Sequence, residues 1–257
     1  MSVLLRLVPI LLAAGLLAAC ATDPNAPRVN IDDAVTTRVA AGLQYLQQRN
    51  PSEARRHFSR ALALNPDSPE AHNAMALLYS YERDPEREEE HYKKALRADS
   101  DFSPALNNYG TLLYSQGRYK EALEKFKRAA NDASYEARGS AFSNMGQCYQ
   151  ALNEPEQAKE AFIKALRLNP QSTSASLELA RLYFGEQRYR LGWDYYQQYQ
   201  SRTGRPSADG LWLGIRLAAA LGRKNEQSSY ELALQNLYQN SREYRAWRAW
   251  QSGQEAR

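Results

Sequence analysis

An all-α solenoid of six stacked helix pairs is what this sequence predicts, and three observations carry the prediction. The first is a small residue that recurs at Gly42, Ala76, Gly110, Gly146, Ala180 and Gly214, at intervals of 34, 34, 36, 34 and 34 residues. The second is a pair of companion columns. Three positions after the small residue stand Tyr45, Tyr79, Leu113, Tyr149, Tyr183 and Leu217; sixteen after it stand Phe58, Tyr92, Phe126, Phe162, Tyr196 and Tyr230. The third is composition. With 43% hydrophobic and 24% charged residues, a chain of 257 residues is polar for one compact globule and suits a long exposed surface.

The stretch from Asn107 to Ala129 shows one unit in full. Its first helix carries Tyr109, Gly110, Leu113 and Tyr114, a turn follows at Gln116-Gly117-Arg118, and the second helix carries Ala122, Phe126 and Ala129. Gly110 lets the two helices approach and Ala122 is expected to answer it, with Tyr109, Leu113 and Phe126 filling the wedge. Small residues in contact, large ones around them and a period of 34 residues define the tetratricopeptide (TPR) signature. One pair cannot bury its own apolar face, so stacking is obligatory. The pairs are expected to begin near Val35, Pro69, Ser103, Gly139, Thr173 and Ser207.

In chain order, residues 1–19 read as a signal peptide. One arginine, Arg6, precedes an apolar run from Leu7 to Leu17, too short to span a membrane. Leu17-Ala18-Ala19-Cys20 resembles a bacterial lipobox, which implies cleavage before Cys20 and acylation of that residue. Several acyl chains hold a protein to a membrane far better than one. Ala21 is not the aspartate that marks inner-membrane retention, so the resemblance implies the outer membrane. The other reading is a plain signal peptide with an incidental cysteine. Residues 20–34, rich in Pro, Asn and Asp from Ala21 to Asp33, read as a flexible tether. The solenoid is expected over residues 35–250, with a frayed tail at 251–257.

Repeat one fits the signature best, with Gly42, Tyr45, Ala54, Phe58 and Ala61 before Asn65-Pro66. Repeat two has Glu88 where an alanine is usual, and the run from Glu86 to Glu90 reads as a solvated face before it reads as an acid site. The two-residue insertion near Ala137-Arg138 predicts a longer link that splits the array three and three. Asn169-Pro170 closes repeat four as Asn65-Pro66 closes repeat one. Repeat five replaces the alanine with Gly192 and crowds Trp193, Tyr195, Tyr196 and Tyr199 onto one helix; core is the reading, a ligand platform the rival. After repeat six, Ser241 is an N-cap candidate, and Tyr244 and Trp247 give one face to a C-terminal capping helix.

Chemistry is conspicuous by its lack. The histidines, His57, His72 and His91, make no metal-ligand spacing, no serine sits in a nucleophile elbow, and no glycine-rich phosphate loop follows a strand. No catalysis, cofactor, metal or small-molecule substrate is expected. The net charge of +4 is mild and spread through the repeats, so a nucleic-acid partner is not expected either. Of two cysteines, Cys148 reads as a small core residue more readily than as a reactive thiol.

What remains is a binding surface. In TPR stacks the first helices line the concave face, with residues three before, one after and four after the small residue pointing inward. These are Val39, Leu43 and Leu46; Asn73, Leu77 and Ser80; Asn107, Thr111 and Tyr114; Ser143, Gln147 and Gln150. The groove thus passes from apolar to polar, and it lacks the lysines of a carboxylate clamp. The partner-contacting set is Val39, Leu43, Leu46, Asn73, Leu77, Asn107 and Tyr114, unless Leu43 and Leu46 merely pack on the tether.

The whole mature chain resembles the PilF/PilW family of type IV pilus biogenesis lipoproteins. The resemblance rests on the lipobox around Cys20, on Gly42-Leu43-Gln44-Tyr45-Leu46, on Leu106-Asn107-Asn108-Tyr109-Gly110 with its Tyr119-Lys120-Glu121-Ala122 follow-on, and on Leu213-Gly214-Ile215-Arg216-Leu217-Ala218. It implies a pilotin: a lipid-anchored outer-membrane protein whose solenoid lies in the periplasm, bringing a secretin (PilQ) to that membrane and promoting its multimerisation. A TPR lipoprotein serving another envelope complex, as an adaptor for cell-wall hydrolases or an outer-membrane protein assembly factor, is the alternative. An enzyme domain hidden by the repeats has no catalytic constellation to recommend it. Cys20→Ser is expected to abolish lipid attachment, and metabolic labelling with an alkyne palmitate checks it: a labelled variant rules out Cys20 as the acylated residue.

Overall fold

The computed structural model describes residues 30–253, which form thirteen α-helices and no strand. The signal peptide, Cys20, the tether up to residue 29 and the last four residues of the tail lie outside the described residues. Six helix hairpins follow one another: α1 (Ile31–Gln47) with α2 (Pro51–Leu64), α3 (Pro69–Glu82) with α4 (Pro85–Ala98), and α5 (Ser103–Ser115) with α6 (Tyr119–Asn131). Then come α7 (Arg138–Ala151) with α8 (Pro155–Leu168), α9 (Thr173–Gly185) with α10 (Tyr189–Arg202), and α11 (Ala208–Ala220) with α12 (Lys224–Leu237). A last helix, α13 (Arg242–Gln251), packs on α11 and closes the stack. The chain is an all-α TPR superhelix.

Local chemistry marks the start of many of the helices. Asn50, Ser68, Asp84, Ser172, Ser207 and Ser241 each accept a hydrogen bond from a backbone N–H in the first turn, and Pro51, Pro69, Pro85 and Pro155 occupy a first helical position. Asn30 does the same for α1, whose first turn also carries Asp32 and Asp33 at the positive end of the helix dipole. That cap corrects the tether: residues 31–34 are helical, and the first repeat begins four residues before Val35. Inside the hairpins the seventh residue after the small one turns left-handed, at Arg49, Arg83, Gly117, Asn153 and Gln187. The next N–H then returns to the carbonyl three after the small residue, as from Arg118 to Leu113 at 2.9 Å. Only Gly117 meets that conformation without a Cβ.

The packing inside a hairpin differs from expectation in its partner. A Cβ on Gly110 would lie 2.6 Å from the Phe126 ring, and one on Gly146 equally close to Phe162; Gly42 meets Phe58 in the same way. The bare α-carbon is therefore covered by the aromatic sixteen residues on, not by Ala122, which is buried alongside. Repeat six breaks the column. Its turn falls one residue later, with the left-handed residue at Gly222 and Arg223 N–H on the Ala218 carbonyl, and Gly214 is covered by Tyr196 of the preceding repeat. Tyr230 is displaced onto Trp193 and Tyr196 instead.

The aromatics of repeat five are core. Trp193, Tyr196 and Tyr199 are buried, and Tyr195 stacks on Tyr183 at 5.6 Å. Tyr199 stands where other repeats have Ala61, Ala95, Ala129 or Ala165, and Gly210 makes the room: a Cβ there would lie 2.5 Å from the Tyr199 hydroxyl. Two other expectations give way. The link of repeat three to four is longer, but the array is not split: one apolar cluster runs from Ala76 through Leu113 and Phe126 to Cys148, and another joins Leu106, Ala129, Ala130 and Ala141. Cys148 is buried, and burial pushes its thiol up to about 12, which fits the inert core residue.

The acidic run of repeat two is not one solvated face. Glu88 is buried in the alanine column; burial raises its pKa, opposed by bonds to Ser80 and Tyr92. Glu89 accepts from the Tyr109 hydroxyl at 2.7 Å and pairs with Lys93 and with Arg118 of the next repeat. Burial works against its charge, yet these partners outweigh it and hold the carboxyl at about 2. The same column supplies staples elsewhere, Arg55 to Tyr79 and Glu82, and Lys159 to Glu186. Gly110→Leu is expected to lower the melting temperature, because overpacking of this kind costs about 1–3 kcal/mol. Gly185→Ala, at a position open to solvent, is the control expected to leave it unchanged or slightly higher. Calorimetry of both variants checks the register; a Gly110→Leu protein that melts like the parent overturns it.

Candidate functional site on the inner face

Successive first helices touch one another, α1 on α3, α3 on α5, α5 on α7 and α9 on α11, while the second helices pack against the first helices on either side. The first helices are thus the crowded, inner lining of the superhelix, and the inward columns fall on it.

At its N-terminal end the lining is apolar. Val39, Leu43 and Leu46 are half-buried and rest on the core built from Ala54, Phe58, Met75, Leu78 and Tyr79, with Leu77 half-buried on the neighbouring helix. Their lower atoms therefore belong to the core, and what they present is an edge of it. In the middle the lining becomes amide. Asn108 donates to the Asn73 side-chain oxygen at 3.1 Å, and Asn144 donates to that of Asn107 at the same distance. These pairs bridge adjacent first helices, so Asn73 and Asn107 are partly committed to the solenoid. Each keeps its own amide N–H₂ without a protein partner among the described residues. Tyr114 is half-buried, tilted against Tyr119 at 5.1 Å, and burial raises its phenol.

Towards the C-terminal end the lining is ionic. Gln150 donates to Glu178, and Arg181 closes its fork on Asp209 at 3.1 and 2.5 Å while its Nε reaches Glu178 at 3.3 Å. Burial lowers the Arg181 pKa, but these carboxylates more than restore it. This charged third was missed in the sequence, where the inward columns were followed only to repeat four. The signal was available: Arg181 stands one after Ala180, in the column of Leu43 and Leu77.

The histidines have structural places. The Pro66 carbonyl can only accept, so His72 Nε2 carries the hydrogen of their 2.9 Å contact. Neutral His72 then accepts at Nδ1, and His91 Nδ1 donates to it across 3.1 Å. Among the described residues no group of three His, Cys, Asp or Glu side chains could hold a metal ion, and no helix is long and apolar enough to cross a membrane.

This architecture defines a scaffold that binds proteins, and comparison with known families agrees. Tetratricopeptide repeat models match residues 39–101, 101–171 and 144–209. The chain is 38% identical to the type IV pilus assembly protein PilF of Pseudomonas aeruginosa, over 93% of this chain and 96% of that protein. The solved structure of Pseudomonas aeruginosa PilF superposes with a TM-score of 0.82, covering 85% of this chain and 98% of that one. That of PilW, a widely conserved type IV pilus biogenesis factor, does so with a TM-score of 0.72 at 26% identity, covering 86% and 99%. The chain belongs to the PilF/PilW family of type IV pilus biogenesis TPR proteins.

The histidine pair gives stability a pH dependence. Burial first, then the neighbouring His72 charge, pushes His91 down to about 4, and burial lowers His72 too. Between pH 6.5 and 4 the unfolded chain takes up protons that the folded chain refuses. Stability is therefore full above the unfolded value near 6.5 and falls as the pH drops towards 4. The expected loss is on the order of 1–3 kcal/mol for the pair. Denaturant melts at pH 7 and 5 check it, and His91→Gln should flatten the dependence in that window.

Proposed function

We propose that this protein is a pilotin of the type IV pilus: anchored in the outer membrane through acylated Cys20, it binds a secretin subunit and promotes its localisation and multimerisation there. The observation that carries the reading is the half-buried apolar strip at the N-terminal end of the inner face. Val39, Leu43 and Leu46 recur at i, i+4 and i+7 on α1, and Leu77 joins them from α3. That spacing makes a trough about two helical turns long, the shape that takes an amphipathic or extended peptide by apolar contact. A secretin must cross the periplasm with unassembled surfaces, and such a trough covers one. The amide groups of Asn73 and Asn107, beside the trough, supply polar contacts to a bound backbone, and Tyr114 adds an apolar wall with a polar tip.

Membership of the family supports the pilus setting, and the lipobox supports the anchor. A strip in the repeat that follows Cys20 in the sequence suits a partner held close to the membrane. Leu43→Glu with Leu77→Glu introduces two charges that a bound partner would have to desolvate. Neither side chain is fully buried, so the helices should form as before. The double variant is expected to be acylated, sorted and helical, and to leave the secretin without SDS-resistant multimers. Circular dichroism, membrane fractionation and secretin multimers measured in one strain check this; normal multimers exclude the trough as the docking site.

A further inference from the structure

The furrow between α9 and α11, at the far end of the inner face from the apolar trough, holds a cation with no counter-ion. The Arg216 guanidinium lies 4.7 Å from the centre of the Phe184 ring and 5.1 Å from that of Trp212. It forms one wall of a cavity of about 460 Å³ whose other walls are Tyr189, Ala219, Ala220 and Trp250. Its Nε is fully buried and unpartnered, and among the described residues Arg216 makes neither a hydrogen bond nor an ion pair. Burial, then the charge of Arg181, lowers its pKa from the ordinary arginine value. Asp209, the one acid whose charge favours it, is bonded to Arg181.

An apolar side chain would fill this place without the penalty of a desolvated, unpaired charge. Two aromatic faces soften that penalty, because the ring quadrupole attracts a cation, but they leave the buried Nε–H unmet. The geometry points to a binding site for an Asp or Glu side chain of a protein partner, its carboxylate taken by the Arg216 fork and its neighbouring apolar atoms seated on Phe184, Trp212 and Trp250. One guanidinium matches one carboxylate in charge and in paired donors. Walls that are otherwise apolar suit a monoanion better than a phosphate. A chain-terminal carboxylate is usually cradled by backbone donors as well. Of the cavity walls only Tyr189, the first residue of α10, has a backbone N–H outside the helical bonds; those of Phe184, Trp212, Arg216, Ala219, Ala220 and Trp250 are bonded inside their helices. The inference does not rest on the secretin reading, since it concerns the opposite end of the inner face.

The test uses the full chain in detergent and three acetylated probes, two with a blocked carboxyl terminus, acetyl-Leu-Glu-Leu-amide and acetyl-Leu-Gln-Leu-amide, and one with it free, acetyl-Leu-Gln-Leu. Trp212 and Trp250 report occupancy by fluorescence, and the ¹⁵N–¹H signal of Arg216 Nε, assigned with Arg216→Lys, reports contact. The glutamate probe is expected to shift both signals and to bind about tenfold more tightly than the glutamine probe, the margin of a charge-assisted pair over a neutral one. Arg216→Gln should abolish that margin while its circular dichroism melt stays intact, and Arg216→Lys should keep only part of it. Equal binding of both blocked probes reduces the cavity to an apolar pocket and overturns the inference. So does a response confined to the free-terminus probe, a stronger response to inorganic phosphate, or no response to any probe. An Arg216 signal that moves in Glu255→Gln without added peptide assigns the site to the chain's own C-terminal segment and overturns a partner.

Discussion

One contact sets the rest of this molecule: an aromatic ring laid on a small residue, a bare α-carbon in three of the six hairpins. At Gly42 and Phe58, Gly110 and Phe126, and Gly146 and Phe162, the ring takes the space that a methyl group would occupy. That closeness fixes how far apart the two helices lie and at what angle. The hairpin so formed is a wedge, and repeated wedges stack into a curve. The inner face exists because the first helices are the crowded side of that curve.

Where the contact changes, the stack adapts in a traceable way. Repeat six turns one residue later after its small residue, so its own tyrosine misses Gly214 and Tyr196 from repeat five covers it instead. Repeat five accordingly becomes the most aromatic part of the core, with Tyr199 paired against Gly210. The C-terminal repeats are thereby locked together more by rings than by the alanine columns used earlier. That aromatic surplus continues into the furrow that holds Arg216, where Phe184, Trp212 and Trp250 surround a cation. The inner face thus has three characters along one lining: apolar edge, amide bridges and ionic furrow. Each is set by a few residues projecting from a scaffold that hardly varies.

How much of this could be read from the chain differs by kind of feature. The period, the helix pairs, the capping serine at Ser241 and the core role of Trp193 and Tyr196 follow from spacing, because 3.6-residue periodicity decides which side chains share a face. The boundary of α1 was misjudged because Asn30 and the acids after it look like a polar tether until a helix is seen to follow. Glu88 and Glu89 were misread together. Two adjacent acids point in different directions on a helix, one into the alanine column and one towards Tyr109 of the next repeat.

The sequence by itself determined the repeating unit: small residue, ring and turn recur at fixed offsets, and short-range sterics leave them one way to pack. Contacts between repeats, such as the Asn73–Asn108 and Asn107–Asn144 bridges 35 and 37 residues apart, were decided only by the tertiary structure, as was the His72–His91 pair within repeat two. So was the isolation of Arg216. Whether a charge has a partner depends on which side chains the superhelix brings beside it, and here Arg181 has already taken Asp209.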